Sequence, residues 1–354
     1  MDQLHGGNIY DDHLKERTKG HMLLDFSANI NPLGMPKSVR EAVVSSLGDA
    51  VHYPDPRCRK LRRRLALEYG LPEEDFLCGN GGADLIYRLA YALKPKRALL
   101  TAPTFGEYEE ALKQTGTECR FYHMQEDLVI REDILEKMDE SVDVLFLCNP
   151  NNPTGLLVEP DLLRSIFKKA VACQTLLLLD ECFLDFTGQE ERSLVSDIEE
   201  TEYLFILKSF TKMYAMPGIR LGYGISGNRT LLRRMEAAGQ CWGVSVLASE
   251  AGIAALNEKA YKERAVGLIR EERAYLKGEL EAAGLQVFDG QADYLFFRAP
   301  GVCDLYERLL PLGILIRRCD NYRGLDRTCY RVAVKGHEDN ERLVKALTSV
   351  LGQK

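Results

Sequence analysis

Short apolar runs alternate with helical patterns through the middle of the chain. Runs of strand length lie at residues 98–101, 144–147, 176–179, 203–207 and 222–226. Between them, apolar residues recur at helical spacing, as in the helix expected from Gly106 onward and the one expected over 159–172. Continuous apolar strands that alternate with helices are typical of a parallel sheet covered on both faces. The pattern predicts an α/β fold with its functional residues in loops at strand ends.

The rest of the chain predicts a second, smaller unit. A long helical pattern covers residues 249–283, and three strand-like segments follow at 294–298, 314–317 and 330–334. A closing helix is expected near His337, where two acids favour the positive end of a helix. We therefore predict a large domain at residues 45–245, with a mostly parallel sheet flanked by helices. Residues 1–44 and 246–354 form the smaller α+β domain in this prediction, with a long connecting helix near 249–283.

Composition excludes several classes of partner. Hydrophobic residues make up 45%, charged residues 28%, and the net charge is -7, which is ordinary globular composition without a basic stripe for nucleic acid. No apolar run approaches the roughly 20 residues of a membrane helix, and the N-terminus lacks a signal pattern. The ten cysteines include no paired CxxC. We expect reduced thiols, no metal site and a cytoplasmic protein that binds neither nucleic acid nor membranes.

Lys212 is the strongest candidate for covalent chemistry. It follows an apolar run, stands among the hydroxyls of Ser209 and Thr211, and precedes Arg220 by eight residues. A lysine at a strand end is usually only a solvated charge. Here the hydroxyls and the guanidinium can hold a phosphate while the lysine amine attacks an aldehyde.

Asp180 ends the buried run 176–179, where a carboxylate needs a partner. A pyridinium nitrogen would supply one, and the carboxylate would keep that nitrogen protonated as an electron sink. The competing interpretation is a helix N-cap aspartate. Taken alone, Asp180 favours that simpler role.

Two turns add weaker signals. Residues 148–155 read Cys-Asn-Pro-Asn-Asn-Pro-Thr-Gly, a tight turn in which the amide of Asn152 can bind a phenolic oxygen. Residues 79–84 read Gly-Asn-Gly-Gly-Ala-Asp and open a helix whose N–H groups can approach a phosphate. The second turn lacks the lysine of a Walker loop and the spacing of a dinucleotide fingerprint.

In chain order, the four segments are the glycine-rich turn, the turn with Asn152, Asp180 and the segment with Lys212. In this order they resemble the fold-type I pyridoxal phosphate (PLP) enzymes of the class I/II aminotransferase superfamily, and the chain covers essentially the whole length of that family. The resemblance implies that Lys212 binds PLP covalently and later moves a proton, that Asp180 pairs with the ring nitrogen, and that Asn152 holds the ring oxygen. Phe105 matches the residue whose ring stacks on the cofactor. The remaining cofactor contacts implied, mostly to the phosphate, are Gly82, Ala83, Asp84, Ser209, Thr211 and Arg220.

One position departs from the family pattern. Many aminotransferases carry a tyrosine three residues after the aspartate, and its hydroxyl also binds the ring oxygen. Phe183 occupies that position here. The loss of one such hydrogen bond is worth about 1 kcal/mol, so we expect altered proton affinity at the cofactor with binding retained.

The ends of the chain are similar to threonine-phosphate decarboxylases of cobalamin biosynthesis. The similar segments are residues 5–10, 24–34, 180–186 and 317–322. They imply decarboxylation of O-phospho-L-threonine to (R)-1-aminopropan-2-yl phosphate, with Arg331 on the carboxylate and Arg317 facing the phosphate. Tyr53 matches a tyrosine that reaches the neighbouring subunit's cofactor phosphate, which implies a homodimer. The substrate-binding residues implied are His5, Gly6, Asn29, Asn152, Arg317 and Arg331.

Other interpretations stay open. Histidinol-phosphate aminotransferases share Tyr53 and Arg331 with this chain. The residue types alone do not determine which bond at the substrate Cα breaks. The alternative is therefore an aminotransferase for histidinol phosphate or an aromatic amino acid. A non-catalytic PLP module of a regulator would carry a DNA-binding segment, which we do not expect before Asp25. A nicotinamide dehydrogenase lacks its glycine fingerprint here. A disordered terminus for His5 and a surface salt bridge for Arg317 are the competing local interpretations.

Overall fold

The computed structural model describes residues 5–10, 12–18 and 20–352. Its strands, in chain order, are β1 Leu24–Asp25, β2 Phe76–Gly79, β3 Arg97–Ala102, β4 Glu118–His123, β5 Val144–Cys148, β6 Leu176–Asp180, β7 Leu204–Ser209, β8 Gly222–Ile225, β9 Gln286–Val287, β10 Tyr294–Arg298, β11 Ile314–Leu315, β12 Arg317–Arg318 and β13 Cys329–Ala333. Its α-helices are α1 Asp12–Arg17, α2 Lys37–Ser45, α3 Arg59–Tyr69, α4 Gly82–Leu93, α5 Glu107–Lys113, α6 Pro160–Ala172, α7 Arg229–Ala238, α8 Val246–Ala255, α9 Lys259–Ala282, α10 Leu305–Leu309 and α11 His337–Leu351.

The central sheet has seven strands in the order β2-β8-β7-β6-β5-β3-β4. The strands from β3 to β7 run parallel, whereas β8 and β2 pair antiparallel at one edge. Every residue of β5 and β6 is buried, which is the burial that continuous apolar strands require. The predicted α/β architecture with a mostly parallel sheet is confirmed.

A second, antiparallel sheet has the order β12-β13-β10-β9. The single strand predicted over 314–317 is wrong, because the chain changes sheets within it. β11 pairs with β1 near the N-terminus, whereas β12 pairs with β13. Apolar periodicity reports that a segment is buried but not which strand it pairs with, so the sequence could not show this change. The β1–β11 pairing joins Leu24 and Asp25 to the C-terminal part of the chain.

The one long helix predicted over 249–283 is also wrong. Two helices, α8 and α9, cover this stretch, and the chain turns between them at residues 256–258, where Glu258 has a non-helical ψ of 49°. The side chain of Ser245 caps α8 by accepting from the Ala248 N–H. α8 packs against α2 and α3, while α9 packs against α11 and β9. The division of the chain near residues 45 and 245 stays a prediction.

In the part of the chain that the structure describes, no helix has both the length and the apolar composition needed to cross a bilayer.

Candidate active site

One cleft collects residues from both larger sheets. Asp180 and Ser209 are the last residues of β6 and β7, and Asn152 and Phe105 follow β5 and β3 within a few residues. Since the carboxyl ends of parallel strands meet at one edge of a sheet, these four side chains converge there. The cleft brings together every predicted site residue except Asp84 and Tyr53, namely His5, Gly6, Asn29, Gly82, Ala83, Phe105, Asn152, Asp180, Ser209, Thr211, Lys212, Arg220, Arg317 and Arg331.

Asp84 and Tyr53 lie elsewhere. The Asp84 carboxylate accepts from the Asn80 N–H at 2.8 Å and pairs with Arg88 at 2.9 Å. Only its backbone N–H, in the first turn of α4, remains suited to a phosphate. Tyr53 is 79% exposed and stacks on Trp242 with ring centroids 4.4 Å apart. Its predicted role concerns a neighbouring subunit and stays a prediction.

Several donors that suit a phosphate lie together in the cleft. The Ser209 and Thr211 hydroxyls lie 2.8 Å apart and line the cleft together with Gly82, the first residue of α4. Gly81 has a φ of +85°, which favours glycine, and a Cβ there would lie 2.4 Å from Nη2 of Arg220 and displace the guanidinium from this position. Hydroxyls, helix N–H groups and an arginine together suit a dianionic phosphate.

Lys212 lies half-buried in the cleft. Removal from water lowers the pKa of its amine, and the positive charge of Arg331 adds to this, while Asp293 opposes it. Lys208, four residues earlier, contrasts with it: Lys208 forms buried ion pairs with Glu181 at 3.1 Å and Asp185 at 3.5 Å. These two carboxylates more than offset burial and raise the pKa of Lys208. The amine suited to attack on an aldehyde is therefore that of Lys212.

Asp180 is buried in the wall of the same cleft. Burial raises the pKa of its carboxyl, while hydrogen bonds from Cys182 and Tyr108 oppose that rise. The Tyr108 hydroxyl donates to Oδ2 at 2.5 Å and the Cys182 N–H donates to Oδ1 at 2.9 Å. A cationic ring nitrogen beside this carboxylate would stabilise its ionised form. The helix N-cap interpretation does not apply, because no α-helix begins at Asp180.

Asn152 is held by two donors on its oxygen. Nη1 of Arg331 donates to Oδ1, and so does the Tyr322 hydroxyl at 3.2 Å. These contacts fix the amide so that its nitrogen is the end that can donate to a ligand. This orientation suits the predicted contact with a cofactor oxygen.

Arg317 and Arg331 are register partners across β12 and β13. Both are almost fully buried, at 2% and 5% exposure. Nη2 of Arg331 donates to the Ser27 carbonyl oxygen at 3.1 Å, and Nη2 of Arg317 donates to Oδ1 of Asn321 at 2.8 Å. Like charges directly opposite on a sheet destabilise it. Anions in the cleft would relieve this repulsion.

Hydrogen bonds from Asn31 attach the N-terminal part of the chain to the turn that carries Lys212. The Asn31 side chain donates to the Met213 carbonyl oxygen at 2.7 Å, and the Asn31 N–H donates to that of Lys212 at 3.3 Å. This anchors the loop that holds Asn29, whose buried Oδ1 has no hydrogen-bond partner among the described residues. An unsatisfied buried polar atom in a cleft points to a ligand.

Sequence reasoning missed Tyr108, Asp293 and Glu107. Nothing in the sequence marks Tyr108 as the partner of Asp180, because the two residues are 72 positions apart. Asp293 could have been found from the sequence, because it directly precedes the buried strand β10. An acid beside a buried apolar run was also the feature that marked Asp180. Tyr322 lies in the segment 317–322, which resembles the decarboxylases, but the sequence predicted no role for its hydroxyl.

Asp293 is completely buried, and neither carboxylate oxygen has a hydrogen-bond partner among the described residues. Burial raises the pKa of its carboxyl to about 7, although Lys212 and Arg331 oppose the rise. An unfolded aspartate loses its proton near 3.8. Between these values the unfolded chain binds fewer protons than the folded one, so Asp293 lowers the stability of the folded state progressively as pH rises from about 4 to 7.

We therefore expect Asp293→Asn to stabilise the apoprotein most above pH 7. The gain should reach up to about 4 kcal/mol near pH 8 and fall towards zero near pH 4, at about 1.36 kcal/mol per pKa unit. Urea unfolding at a series of pH values measures it. Asp289→Asn, an exposed aspartate paired with Lys277, is the matched control. A gain from Asp293→Asn that did not change with pH would contradict the prediction.

The donor set fits PLP. The phosphate donors, the Lys212 amine, the Asn152 amide and the Asp180 carboxylate correspond to the phosphate, aldehyde, ring oxygen and ring nitrogen of that cofactor. Phe105 lines the same cleft. Phe183 lies there too and packs edge-on against Tyr294 at 5.0 Å between ring centroids, so the position that departs from the family pattern supplies packing instead of a hydroxyl.

Comparison with known proteins gives one family. The model of aminotransferase class I and II matches residues 21–347. The threonine-phosphate decarboxylase of Salmonella typhimurium is 40% identical over 98% of this chain and 96% of that protein. The crystal structure of the histidinol-phosphate aminotransferase from Clostridium acetobutylicum has a TM-score of 0.89 at 32% identity, covering 94% of this chain and 100% of that one. The crystal structure of L-threonine-O-3-phosphate decarboxylase from Porphyromonas gingivalis has a TM-score of 0.83 at 28% identity, covering 93% and 99%.

Proposed function

The chain belongs to the class I and II aminotransferase family, and we propose that within it the protein is a PLP-dependent threonine-phosphate decarboxylase of cobalamin biosynthesis. It converts O-phospho-L-threonine into (R)-1-aminopropan-2-yl phosphate and CO2. The 40% identity to the Salmonella typhimurium protein of that name, over nearly the full length of both chains, supports this activity.

The observation that carries the proposal is the pairing of Arg317 with Arg331. Two buried arginines at directly opposite positions of neighbouring strands, in a cleft whose other donors suit a cofactor phosphate, favour a ligand with two anionic groups. O-phospho-L-threonine has a carboxylate and a phosphate on one short skeleton. We assign the carboxylate to Arg331 and the phosphate to Arg317, with His5, Gly6 and Asn29 beside it.

The chemistry divides between cofactor and protein. When bound, PLP supplies an electron sink for the pair released as the bond between Cα and the carboxylate breaks. Arg331 and Arg317 hold the two ends of the substrate and so select which bond at Cα lies in line for cleavage. Lys212, whose amine lies in the same cleft, returns a proton to Cα after CO2 leaves. Asp180 keeps a negative charge beside the ring nitrogen.

The decisive test is incubation of the PLP-loaded protein with O-phospho-L-threonine in the absence of any keto acid. We expect CO2 and the amine phosphate in equal amounts. Their absence, with ketone formation from histidinol phosphate once 2-oxoglutarate is added, would overturn the decarboxylase and favour the aminotransferase. The structural likeness to the Clostridium acetobutylicum enzyme is the reason for that second assay.

The active unit in this proposal is a cytoplasmic homodimer. Tyr53 and Trp242 form a stacked, exposed aromatic pair, and Val51, Leu47 and Val44 lie exposed in nearby sequence. Large exposed apolar patches mark interaction surfaces. Sedimentation equilibrium of the purified chain measures the assembly, and a monomer at micromolar concentration would contradict it.

A further inference from the structure

The N-terminal strap, residues 5–10, contributes to the cleft from far away in sequence. His5 and Gly6 line the cleft. The Gly7 N–H donates to Oγ of Ser27 at 2.8 Å, and a Cβ on Gly6 would lie only 2.0 Å from the Ser27 carbonyl oxygen. The strap therefore lies against the Ser27 backbone at a point where only glycine fits.

Glu107 holds His5, the first residue of the strap. Nε2 of His5 lies 2.7 Å from Oε1 of Glu107, the first residue of α5. The Tyr87 hydroxyl donates to Oε2 of the same carboxylate at 3.1 Å. The imidazole also lies near the Phe105 ring, with 6.0 Å between ring centroids. The carboxylate is thus held by α4 and in turn holds the imidazole beside the cleft.

These contacts determine where the imidazole carries its hydrogen. The hydrogen bond from His5 is the main cause that lowers the pKa of the Glu107 carboxyl, so near neutral pH Glu107 is a carboxylate that only accepts hydrogen bonds. Nε2 of His5 must then carry a hydrogen. Nδ1 is left as the ring nitrogen for a ligand, and it can donate only when the ring is doubly protonated.

We propose that Glu107 is a positioning residue for the substrate phosphate. It holds His5 beside the cleft with a hydrogen on Nε2, and phosphate binding takes the doubly protonated ring, whose Nδ1–H donates to the phosphate. The Glu107 carboxylate balances the charge of that ring. The inference rests on the proposed function, because it assigns the phosphate of O-phospho-L-threonine to His5.

Glu107→Gln tests the role of the charge. Glutamine keeps an oxygen that can accept from Nε2–H but removes the negative charge. We expect KM for O-phospho-L-threonine to rise about tenfold, since a charge-assisted hydrogen bond becomes a neutral one, while kcat stays within about twofold. Glu110→Gln, on the same helix with its carboxylate half exposed and paired with Lys113, should leave both constants unchanged. An unchanged KM in Glu107→Gln overturns the proposal.

A second measurement needs no turnover. Nitrogen NMR of the PLP-loaded protein labelled at histidine reports the protonation of each ring nitrogen, and a His5→Asn variant identifies the His5 signals. We expect a hydrogen on Nε2 in the wild type, and on both nitrogens once inorganic phosphate is added. A neutral ring with its hydrogen on Nδ1 overturns the role of Glu107. This result stands apart from the CO2 assay, so a failure of the proposed activity and a failure of this inference are distinguishable.

Discussion

Lys212→Ala should reduce CO2 release from O-phospho-L-threonine by at least about 10⁴-fold. In the proposed function, Lys212 supplies both the amine that binds the cofactor covalently and the group that returns a proton to Cα, and the substitution removes both. Proton transfer by a positioned side chain alone contributes roughly 10²–10⁴-fold. The lowered pKa of Lys212 matters here, because only a neutral amine attacks an aldehyde.

The site of covalent attachment can be read directly. Borohydride reduction of the PLP-loaded protein should fix the label on one tryptic peptide, residues 209–220, because trypsin cuts after Lys208 but not after a modified Lys212. Lys259→Ala, an exposed lysine on α9, is the control and should keep full activity. A Lys212→Ala protein with more than about one hundredth of the wild-type rate would contradict the assignment.

Asp180→Asn should lower kcat by roughly 10³-fold, the size of effect seen when one preorganised electrostatic contact to a reacting group is lost. Asparagine has nearly the same shape and can still accept from the Tyr108 hydroxyl, but it has no charge to hold a proton on a ring nitrogen. The phosphate donors of the cleft are untouched, so we expect PLP to bind still. Absorbance titration with PLP measures binding and the CO2 assay measures kcat.

Tyr108→Phe is the matched variant for Asp180→Asn. It removes only the hydroxyl that donates to Asp180 at 2.5 Å, a loss of about 1 kcal/mol or roughly fivefold in rate. We therefore expect a large loss of kcat in Asp180→Asn, which removes the charge, and a small loss in Tyr108→Phe, which removes only a hydrogen bond to it. If Asp180→Asn stays within tenfold of the wild type, Asp180 is not the partner of the ring nitrogen.

Local sequence determined much of the fold. The apolar runs at β5 and β6 are buried along their whole length, and a fully buried strand can only read as a continuous apolar run. The residues at the ends of these strands were predictable as site residues, because the carboxyl ends of parallel strands share one edge of the sheet. Lys212, Asp180 and Asn152 accordingly lie in one cleft.

The sequence could not give partners that depend on distant segments. The change of sheets between β11 and β12 and the break between α8 and α9 leave the apolar pattern almost intact, because buried residues resume within a few positions on each side of both breaks. Periodicity measures burial along one segment and carries no information about which other segment covers it.

What the sequence determined by itself is the set of chemical groups and the order of elements that deliver them to one edge of a sheet. Only the tertiary structure decided which charges meet: Arg317 beside Arg331, Tyr108 on Asp180, Asp293 near Lys212 and Glu107 on His5. Electrostatic interactions depend on separation in space and on removal from water. The order of residues along the chain determines neither the spatial separation nor the burial of these charges. Both are determined only when the sheets and the N-terminal strap come together.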